Sequence, residues 1–204
     1  MWKLVFNGTR YSFFLLAVFM LPLCFNIDFI LSLWLKEIPA YTNIFVILFL
    51  ANVLAESYST YLITVLLATG KIAFYQASVG TILLLNVPLS YLAFQWGYPP
   101  VSFLVVSIIL TFAASALRLF LLKKRFSFSI TLFLRSVFLK TLLTILLVSA
   151  LNFMLLNLRS LLPYGNILVL LFSCLISMGG IYILGLNSEE RRIVIVQAKK
   201  YLHR

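Results

Sequence analysis

Six long apolar runs, separated by short stretches of polar and turn-forming residues, make up most of this chain. Each run approaches or exceeds the roughly 20 residues that an α-helix needs to cross the hydrocarbon core of a bilayer. The runs do not alternate between apolar and polar positions, and they are too long for the strands of a membrane β-barrel. The pattern predicts an all-α polytopic membrane protein with six transmembrane helices, at residues 11–34, 41–69, 72–96, 99–122, 136–156 and 164–186.

Residues 1–186 form one six-helix transmembrane lobe in this interpretation, and residues 187–204 form a tail of different character. Asn187 or Ser188 can cap a helix that carries Glu189 and Glu190 in its first turn. Apolar and basic residues then occupy opposite sides, which is typical of a short amphipathic helix on the cytoplasmic membrane surface. A frayed soluble tail is the alternative.

The composition supports a membrane setting. Of the 204 residues, 63% are hydrophobic and only 10% are charged, whereas a soluble domain carries about 25% charged residues. The net charge of +11 would suggest nucleic acid in a soluble protein. Because the basic residues lie between apolar runs, we interpret them as determinants of topology and as contacts for anionic lipid headgroups, with no role in nucleic-acid binding.

The distribution of basic residues predicts the orientation. Of the 16 Lys and Arg residues, 14 fall in or beside one set of alternate connections, and only Lys36 and Arg159 fall in the other set. Basic residues concentrate on the cytoplasmic side of membrane proteins, so both termini are predicted to be cytoplasmic. Trp34, Trp96 and Tyr98 then lie where an outer aromatic belt is expected.

Glu56 is the most informative polar residue. It is the only charged residue in the range 38–70, so its carboxyl group is predicted near the middle of the second span, where ionisation is costly. Asn52, Glu56 and Ser59 fall within about 60° of one another on a helix, with Thr60 beside them. We interpret this stripe as the lining of a hydrophilic cavity, in which Glu56 binds a cation, a proton or a polar headgroup. The alternative is a protonated Glu56 that bonds to a neighbouring helix.

Asn86 and Pro88 interrupt the third run. Pro88 has no backbone N–H, so the carbonyl of Leu84 loses its usual donor and a kink is predicted. Transporters use such interruptions for gating or ligand contact, and we predict that role for Asn86 and Pro88. Ordinary membrane helices also tolerate proline, which leaves a purely structural kink as the alternative.

Further polar residues occur on the fourth run. Ser107, Thr111 and Ser115 recur every four residues, which favours close helix packing. Arg118 follows them one turn from the cytoplasmic end. It is predicted to extend to lipid phosphate, with a basic cavity lining as the alternative.

Arg135 and Lys140 enter the fifth run from the cytoplasmic side. They are five residues apart and therefore do not share a helix face. We expect at least one of them to face the interior, and Lys140 is the better candidate because it lies deeper. Asp28, near the outer end of the first run, is expected to pair with Lys36 or with a cation of the outer leaflet.

The residues of an enzyme active site are missing from the pattern. The only histidine, His203, is in the tail, and two of the five acidic residues are there too, which leaves little material for catalysis by paired carboxylates. Cys24 and Cys174 both fall within apolar runs and match neither a disulfide framework nor a metal site. We therefore predict no catalytic residues, no metal and no cofactor, with coupling to an ion or proton gradient left open.

Four short motifs occur in a distinctive order and spacing. They are ILSLWLKEIPAYT at 30–42, ATGKIAFYQ at 68–76, LNVPLSY at 85–91 and GYPP at 97–100. This series resembles the C-terminal half of O-antigen flippases of the Wzx type, in the multidrug/oligosaccharidyl-lipid/polysaccharide exporter superfamily. The detailed likeness covers about residues 10–133, and the last two runs match mainly by hydropathy.

The resemblance implies a fold and a function. Such proteins flip undecaprenyl-pyrophosphate-linked oligosaccharides across the bacterial cytoplasmic membrane, for the synthesis of O-antigen, capsule or exopolysaccharide. Two lobes of a MATE-like fold enclose a central cavity with alternating access. By this resemblance Arg118, Lys140 and Arg135 would serve the anionic headgroup, and Glu56 would couple an ion or contact sugar.

The family usually carries two lobes, whereas one is predicted here. The chain is therefore expected to be a C-terminal lobe that needs an N-terminal lobe as its partner, or else a truncated and inactive fragment. A drug/cation antiporter of the same superfamily is an alternative, although it would favour more intramembrane acids. From a different class, the alternative is a non-transporting assembly or scaffold protein whose polar residues serve helix packing. A membrane enzyme has the least support.

Overall fold

A computed structural model describes residues 2–68, 72–126, 128–157, 165–186 and 190–191, and no β-strand occurs in these ranges. In chain order the α-helices are α1 (Trp2–Phe25), α2 (Ile27–Ser32), α3 (Thr42–Ser57), α4 (Thr60–Leu67), α5 (Ile72–Leu84), α6 (Asn86–Gln95), α7 (Ser102–Phe126), α8 (Ile130–Phe133), α9 (Leu139–Asn157) and α10 (Gly165–Gly180). Two π-helical turns also occur in the described ranges. Leu134–Phe138 joins α8 to α9, and Ile181–Gly185 extends α10.

Within the described residues, five helical stretches are long and apolar enough to cross a membrane. The pair α3 and α4 makes a sixth span when it is counted as one helix bent by 42°. This agrees with a multi-pass helical membrane protein and with the six predicted runs. The five unbent spans are Trp2–Phe25, Tyr75–Gln95, Ser102–Lys124, Ile130–Asn157 and Gly165–Gly185.

The tail prediction cannot be followed along its length. Of the predicted surface helix at 187–204, only Glu190 and Arg191 belong to the described residues. The connections at 69–71 and 158–164 also lie outside them. The amphipathic tail and the orientation of the termini stay predictions.

The bundle is organised around the bent second span. The pair α3 and α4 lies between α1 on one side and α7 on the other. α1 also packs against α9 and α10, while α5 and α6 pack against α7. Fully buried apolar side chains where these helices meet include Leu62, Leu66, Leu122 and Val148. The third span, Tyr75–Gln95, is the least covered of the five unbent spans and lies at the edge of the bundle.

The first predicted run, 11–34, is divided between α1 and α2 in the structure. α1 begins at Trp2, nine residues before the predicted start. Trp2 packs edge-to-face against Phe128 with ring centroids 4.9 Å apart, which anchors this end of the helix. The break falls at Asn26, whose backbone N–H and side-chain Nδ2 both donate to the carbonyl of Pro22, at 3.1 and 3.0 Å.

The fifth span also begins earlier than predicted. α8 starts at Ile130 rather than at Ser136. Ser129 caps it, because the Ser129 Oγ accepts a hydrogen bond from the N–H of Leu132 at 3.3 Å. The apolar pattern by itself does not show where a cap lies. The sequence analysis therefore placed the start of the fifth span too late.

Two of the three connections predicted to face outward each contain a residue with left-handed backbone. Tyr41 has φ +68° directly before α3, and Gly97 has φ +82° after α6. Glycine adopts this conformation without steric cost, whereas tyrosine does not. Trp34 and Trp96 are both 75% exposed at these connections, as expected for rings that lie at a membrane interface.

Candidate functional site

Glu56 lies in an open groove on one face of the bundle. The groove has a volume of about 620 Å³ and runs between α1 and the α3–α4 pair, with hydroxyl groups from Ser12, Ser57, Thr60 and Thr64 along it. The Glu56 side chain is exposed. No side chain of the described residues hydrogen-bonds or ion-pairs with its carboxylate. The arrangement offers one carboxylate and several neutral oxygens, which can bind a cation, a proton or a hydroxylated ligand.

The predicted stripe of Asn52, Glu56 and Ser59 is split by the bend between α3 and α4. Glu56 faces the groove on the α1 side. Ser59 is fully buried on the α7 side, and half-buried Asn52 accepts a hydrogen bond from Thr111 on α7 at 3.0 Å. The angles of a straight helix do not hold across a 42° bend. The expectation that all three residues line one cavity is therefore corrected.

Arg118 is buried among neutral partners. Its side chain is 5% exposed. Nη1 donates to the Ser59 Oγ at 2.8 Å, and Nε donates to the hydroxyl of Tyr75 at 3.1 Å. No carboxylate of the described residues pairs with it. Because these acceptors hold the guanidinium inside the bundle, the prediction that Arg118 extends to lipid phosphate was wrong.

A chain of hydrogen bonds continues from Arg118 into α3 and α7. The Ser115 Oγ donates to the backbone carbonyl of Thr111 at 2.8 Å and lies 2.7 Å from the Ser59 Oγ. Ser115 has a single hydroxyl proton, so Ser59 is the donor in the bond that they share. We call this network the hinge cluster; its members are Asn52, Ser59, Tyr75, Thr111, Ser115 and Arg118.

Asn86 and Pro88 lie in the edge span. The helix is interrupted at Leu85, between α5 and α6. The Asn86 Oδ1 accepts a hydrogen bond from the Ser90 Oγ at 3.0 Å, and Pro88 is exposed. Tyr75–Gln95 still qualifies as one span. Gating by Asn86 and Pro88 stays a prediction.

Arg135 and Lys140 take different positions on the fifth span. Arg135 is exposed in the first π-helical turn. Lys140 is half-buried near the start of α9, within electrostatic range of Arg10, Glu190 and Arg191. Of the two residues, Lys140 is the one that lies near other charged side chains. Arg135 is not part of the hinge cluster.

Arg10 and Glu190 form a buried ion pair that sequence reasoning missed. It joins α1 to the segment that follows α10, and the two residues are 5% and 8% exposed. The Arg10 guanidinium also lies 5.6 Å from the ring centroid of Tyr11. We call Arg10 and Glu190 the terminal pair. The available signal was the position of Arg10, because a charge eight residues inside a helix, about 12 Å from the start of α1, is unusual in an apolar span.

A third polar site, between α9 and α10, was also not predicted. Asn152 is 1% exposed, and its Nδ2 donates to the carbonyl of Val148 at 2.9 Å and to the Ser177 Oγ at 3.2 Å. Its Oδ1 accepts a hydrogen bond from Ser173. We call Asn152, Ser173 and Ser177 the seam cluster. The spacing of Ser173 and Ser177 by four residues was the available signal.

Asp28 has a different partner from the one expected. It accepts a hydrogen bond from the Nδ2 of Asn43 at the start of α3. Lys36 makes no ion pair with it. A neutral partner thus satisfies this carboxylate at the end of the bundle.

The described part of the chain contains no group of three or more His, Cys, Asp or Glu side chains that could hold a metal ion. Comparison of the chain with protein-family models, with curated proteins and with solved structures finds no match. The likeness to polysaccharide exporters therefore depends on the sequence motifs alone. A function has to be argued from the groove and the hinge cluster.

Proposed function

We propose that this chain is one lobe of a flippase that moves undecaprenyl-pyrophosphate-linked oligosaccharide across the bacterial cytoplasmic membrane. The observation that carries the proposal is the placement of Glu56. Its carboxylate lies without a partner among the described residues, in an open groove, one residue from the end of a helix that stops within the second span. An exposed carboxylate at that depth is unfavourable against lipid and favourable against water or protein.

The groove fits the surface that a second lobe would cover. It opens on the outer side of α1 and the α3–α4 pair, so this face of the bundle is not closed by the helices described. A facing N-terminal lobe would convert the groove into an enclosed cavity that contains the Glu56 carboxylate. Sugar hydroxyls are suited to such a lining, because they can donate hydrogen bonds to the carboxylate and to the Ser and Thr oxygens.

The test is export of surface polysaccharide by a bacterium that depends on this chain. We expect Glu56→Gln to abolish export at normal protein level, because the variant keeps the shape of the side chain but removes its charge. Lys140→Glu should also reduce export, because it reverses the charge of the interior-facing Lys140. Glu37→Gln is the matched control, since Glu37 is exposed in the outer connection, and it should leave export unchanged. Full export by the combined Glu56→Gln and Lys140→Glu variant would refute the cavity.

A second measurement tests the need for another lobe. Immunoblotting of native membranes with an antibody against residues 192–204 gives the mass of the natural product. A band near 23.3 kDa requires the second lobe to come from another polypeptide, which should then be isolated together with this chain. A band near twice that mass places both lobes in one polypeptide.

A non-transporting scaffold is the second candidate function, and the seam cluster favours it. Asn152, Ser173 and Ser177 hydrogen-bond to one another across α9 and α10. These buried polar groups serve helix packing. A scaffold predicts that export is insensitive to Glu56→Gln but fails when the seam cluster is disrupted.

A further inference from the structure

We propose that Arg118 is a positioning residue that holds the bend of the second span and thereby sets the width of the Glu56 groove. The proposal rests on the proposed function, because that function assigns the groove to the transported molecule or to its coupling ion. Arg118 itself touches neither the transported molecule nor the coupling ion, and it acts through Ser59.

The break between α3 and α4 is clamped from the side opposite to the groove. Ser59 precedes the first residue of α4 and is fully buried. Its Oγ accepts from Arg118 Nη1 at 2.8 Å and bonds to Ser115 at 2.7 Å. Both partners belong to α7, so the break is held toward α7 and away from α1.

The clamp reaches a third helix. The Arg118 Nε donates to the hydroxyl of Tyr75 at 3.1 Å, and Tyr75 lies on α5 with 2% exposure. One guanidinium therefore ties together the second, third and fourth spans at a single depth. Arginine suits this role because its planar group donates in several fixed directions at once.

The groove lies on the other side of the same break. Glu56 and Ser57, at the end of α3, and Thr60, at the start of α4, all line it. A bend of 42° over the eight residues of α4 displaces the far end of α4 by about 8 Å relative to a straight helix. Because the second span lies between α1 and α7 and the ring of Tyr61 at the start of α4 already packs against Gly8 of α1, loss of the clamp should let the far end of α4 swing about that contact toward α1 and narrow the groove.

The direct test is a distance measurement between α1 and α4. Spin labels on cysteines at Leu4 and Leu67, both exposed, report the distance between the start of α1 and the far end of α4 in detergent or in lipid. The labelled chain carries Cys24→Ser and Cys174→Ser, so that only the two new cysteines react. We expect Arg118→Met to shorten the mean distance by several ångström, with about 8 Å as the limit of full straightening.

Arg135→Met is the matched control, because it removes an exposed arginine of the same lobe and should leave the distance unchanged. Ser59→Ala removes the contact at the break itself with little change in volume, and it should produce the same shortening. Adding Arg118→Met to Ser59→Ala should then cause no further shift, since both act on one contact. Arg118→Lys should give an intermediate distance, because the lysine ammonium can still donate a hydrogen bond but lacks the planar, forked geometry of the guanidinium.

A distance that is unchanged or longer in Ser59→Ala overturns the proposal, and so does an unchanged or longer distance in a folded Arg118→Met variant. A residue with only a structural role would lower the unfolding temperature without moving the labels. The outcome is separate from that of the export assay. Shortening in Ser59→Ala together with full export by the Glu56→Gln and Lys140→Glu variant would keep the hinge and refute the flippase.

Discussion

The two arginines that are buried among the described residues are accommodated in opposite ways. Arg118 is surrounded by neutral oxygens, from Ser59 and Tyr75. Arg10 pairs with the carboxylate of Glu190. Both are 5% exposed, so burial alone does not distinguish them. The difference lies in the charge of the partner.

The comparison teaches what each site can tolerate. When a buried charge loses an ionised partner, the remaining charge is left uncompensated, and the cost is large. When a buried guanidinium is removed from neutral hydroxyls, those hydroxyls can hydrogen-bond to each other or to nearby carbonyls. The hinge cluster should therefore tolerate change better than the terminal pair.

The largest effect should come from breaking the terminal pair on its acidic side. Glu190→Gln leaves Arg10 buried beside the other cations Lys140 and Arg191, and we expect a loss of about 3–5 kcal/mol in the free energy of unfolding. Thermal unfolding in detergent measures it, with Glu37→Gln as the exposed control. Replacement of both Arg10 and Glu190 by Met should recover most of the loss, because neither charge is then left buried. No recovery would mean that the pair has a role beyond charge compensation.

Removal of Arg118 should have a smaller effect. We expect Arg118→Met to reduce the free energy of unfolding by about 1.5–3 kcal/mol, the usual range for hydrogen bonds to a charged group. The same unfolding assay, with Arg135→Met as control, checks this value. A loss as large as that of Glu190→Gln would erase the distinction between neutral and ionic partners.

The close contact of Gly180 with Val148 involves no charge. It therefore provides a reference for the losses of stability expected at the two buried arginines. A Cβ on Gly180 would lie 2.8 Å from the Cγ2 of Val148, whereas nothing lies within 4 Å of a Cβ on Gly179. Because Val148 is fully buried and β-branched, Gly180→Ala should destabilise the fold by about 1–3 kcal/mol. Gly179→Ala should not. Equal effects of the two substitutions in the unfolding assay would show that α9 and α10 are not packed this closely.

The smallest effect should come from a neutral bond in the seam cluster. Ser177→Ala removes one amide-to-hydroxyl hydrogen bond, and such bonds between membrane helices contribute about 0.6 kcal/mol. Ser59→Ala removes a hydroxyl that is bonded to a guanidinium and should cost more in the same unfolding assay. If Ser177→Ala proves the more destabilising, the charge on Arg118 is not what strengthens the hinge cluster.

Much of the fold could be predicted from apolar runs, because a bilayer imposes one minimum length on every spanning helix. The breaks at Asn26 and at Ser59 were harder to place than the one at Leu85, which Asn86 and Pro88 signal in the sequence. The apolar pattern continues through them. The second span illustrates the reason, since its break lies where Arg118 and Ser115, more than 50 residues away in sequence, bond to Ser59.

The candidate site could be predicted only in part, because the bonding partners of several of its residues are distant in sequence. Glu56 stands out in sequence because no other charge is near it, and the structure places it in a groove. A basic residue close to a predicted boundary looks the same whether it reaches lipid phosphate or turns inward. The partners that decide this are 43 residues away for the bond of Arg118 to Tyr75 and 180 residues away for Arg10 and Glu190. No local pattern contains that information.

The π-helical turn at Leu134–Phe138 is a place where the fifth span can change its length. A π-helix holds one more residue per turn of hydrogen bonding than an α-helix, so the turn accommodates an extra residue. Deletion of a single residue there would let the turn close as α-helix with little rotation of one side of the span against the other, whereas a deletion in the regular helix on either side would rotate it by about 100°. Phe133 and Val148, both buried, would still face the core together after a deletion in the turn. Evolution can therefore shorten the span by one residue at this turn without repacking the bundle, but not in the regular helix that follows it.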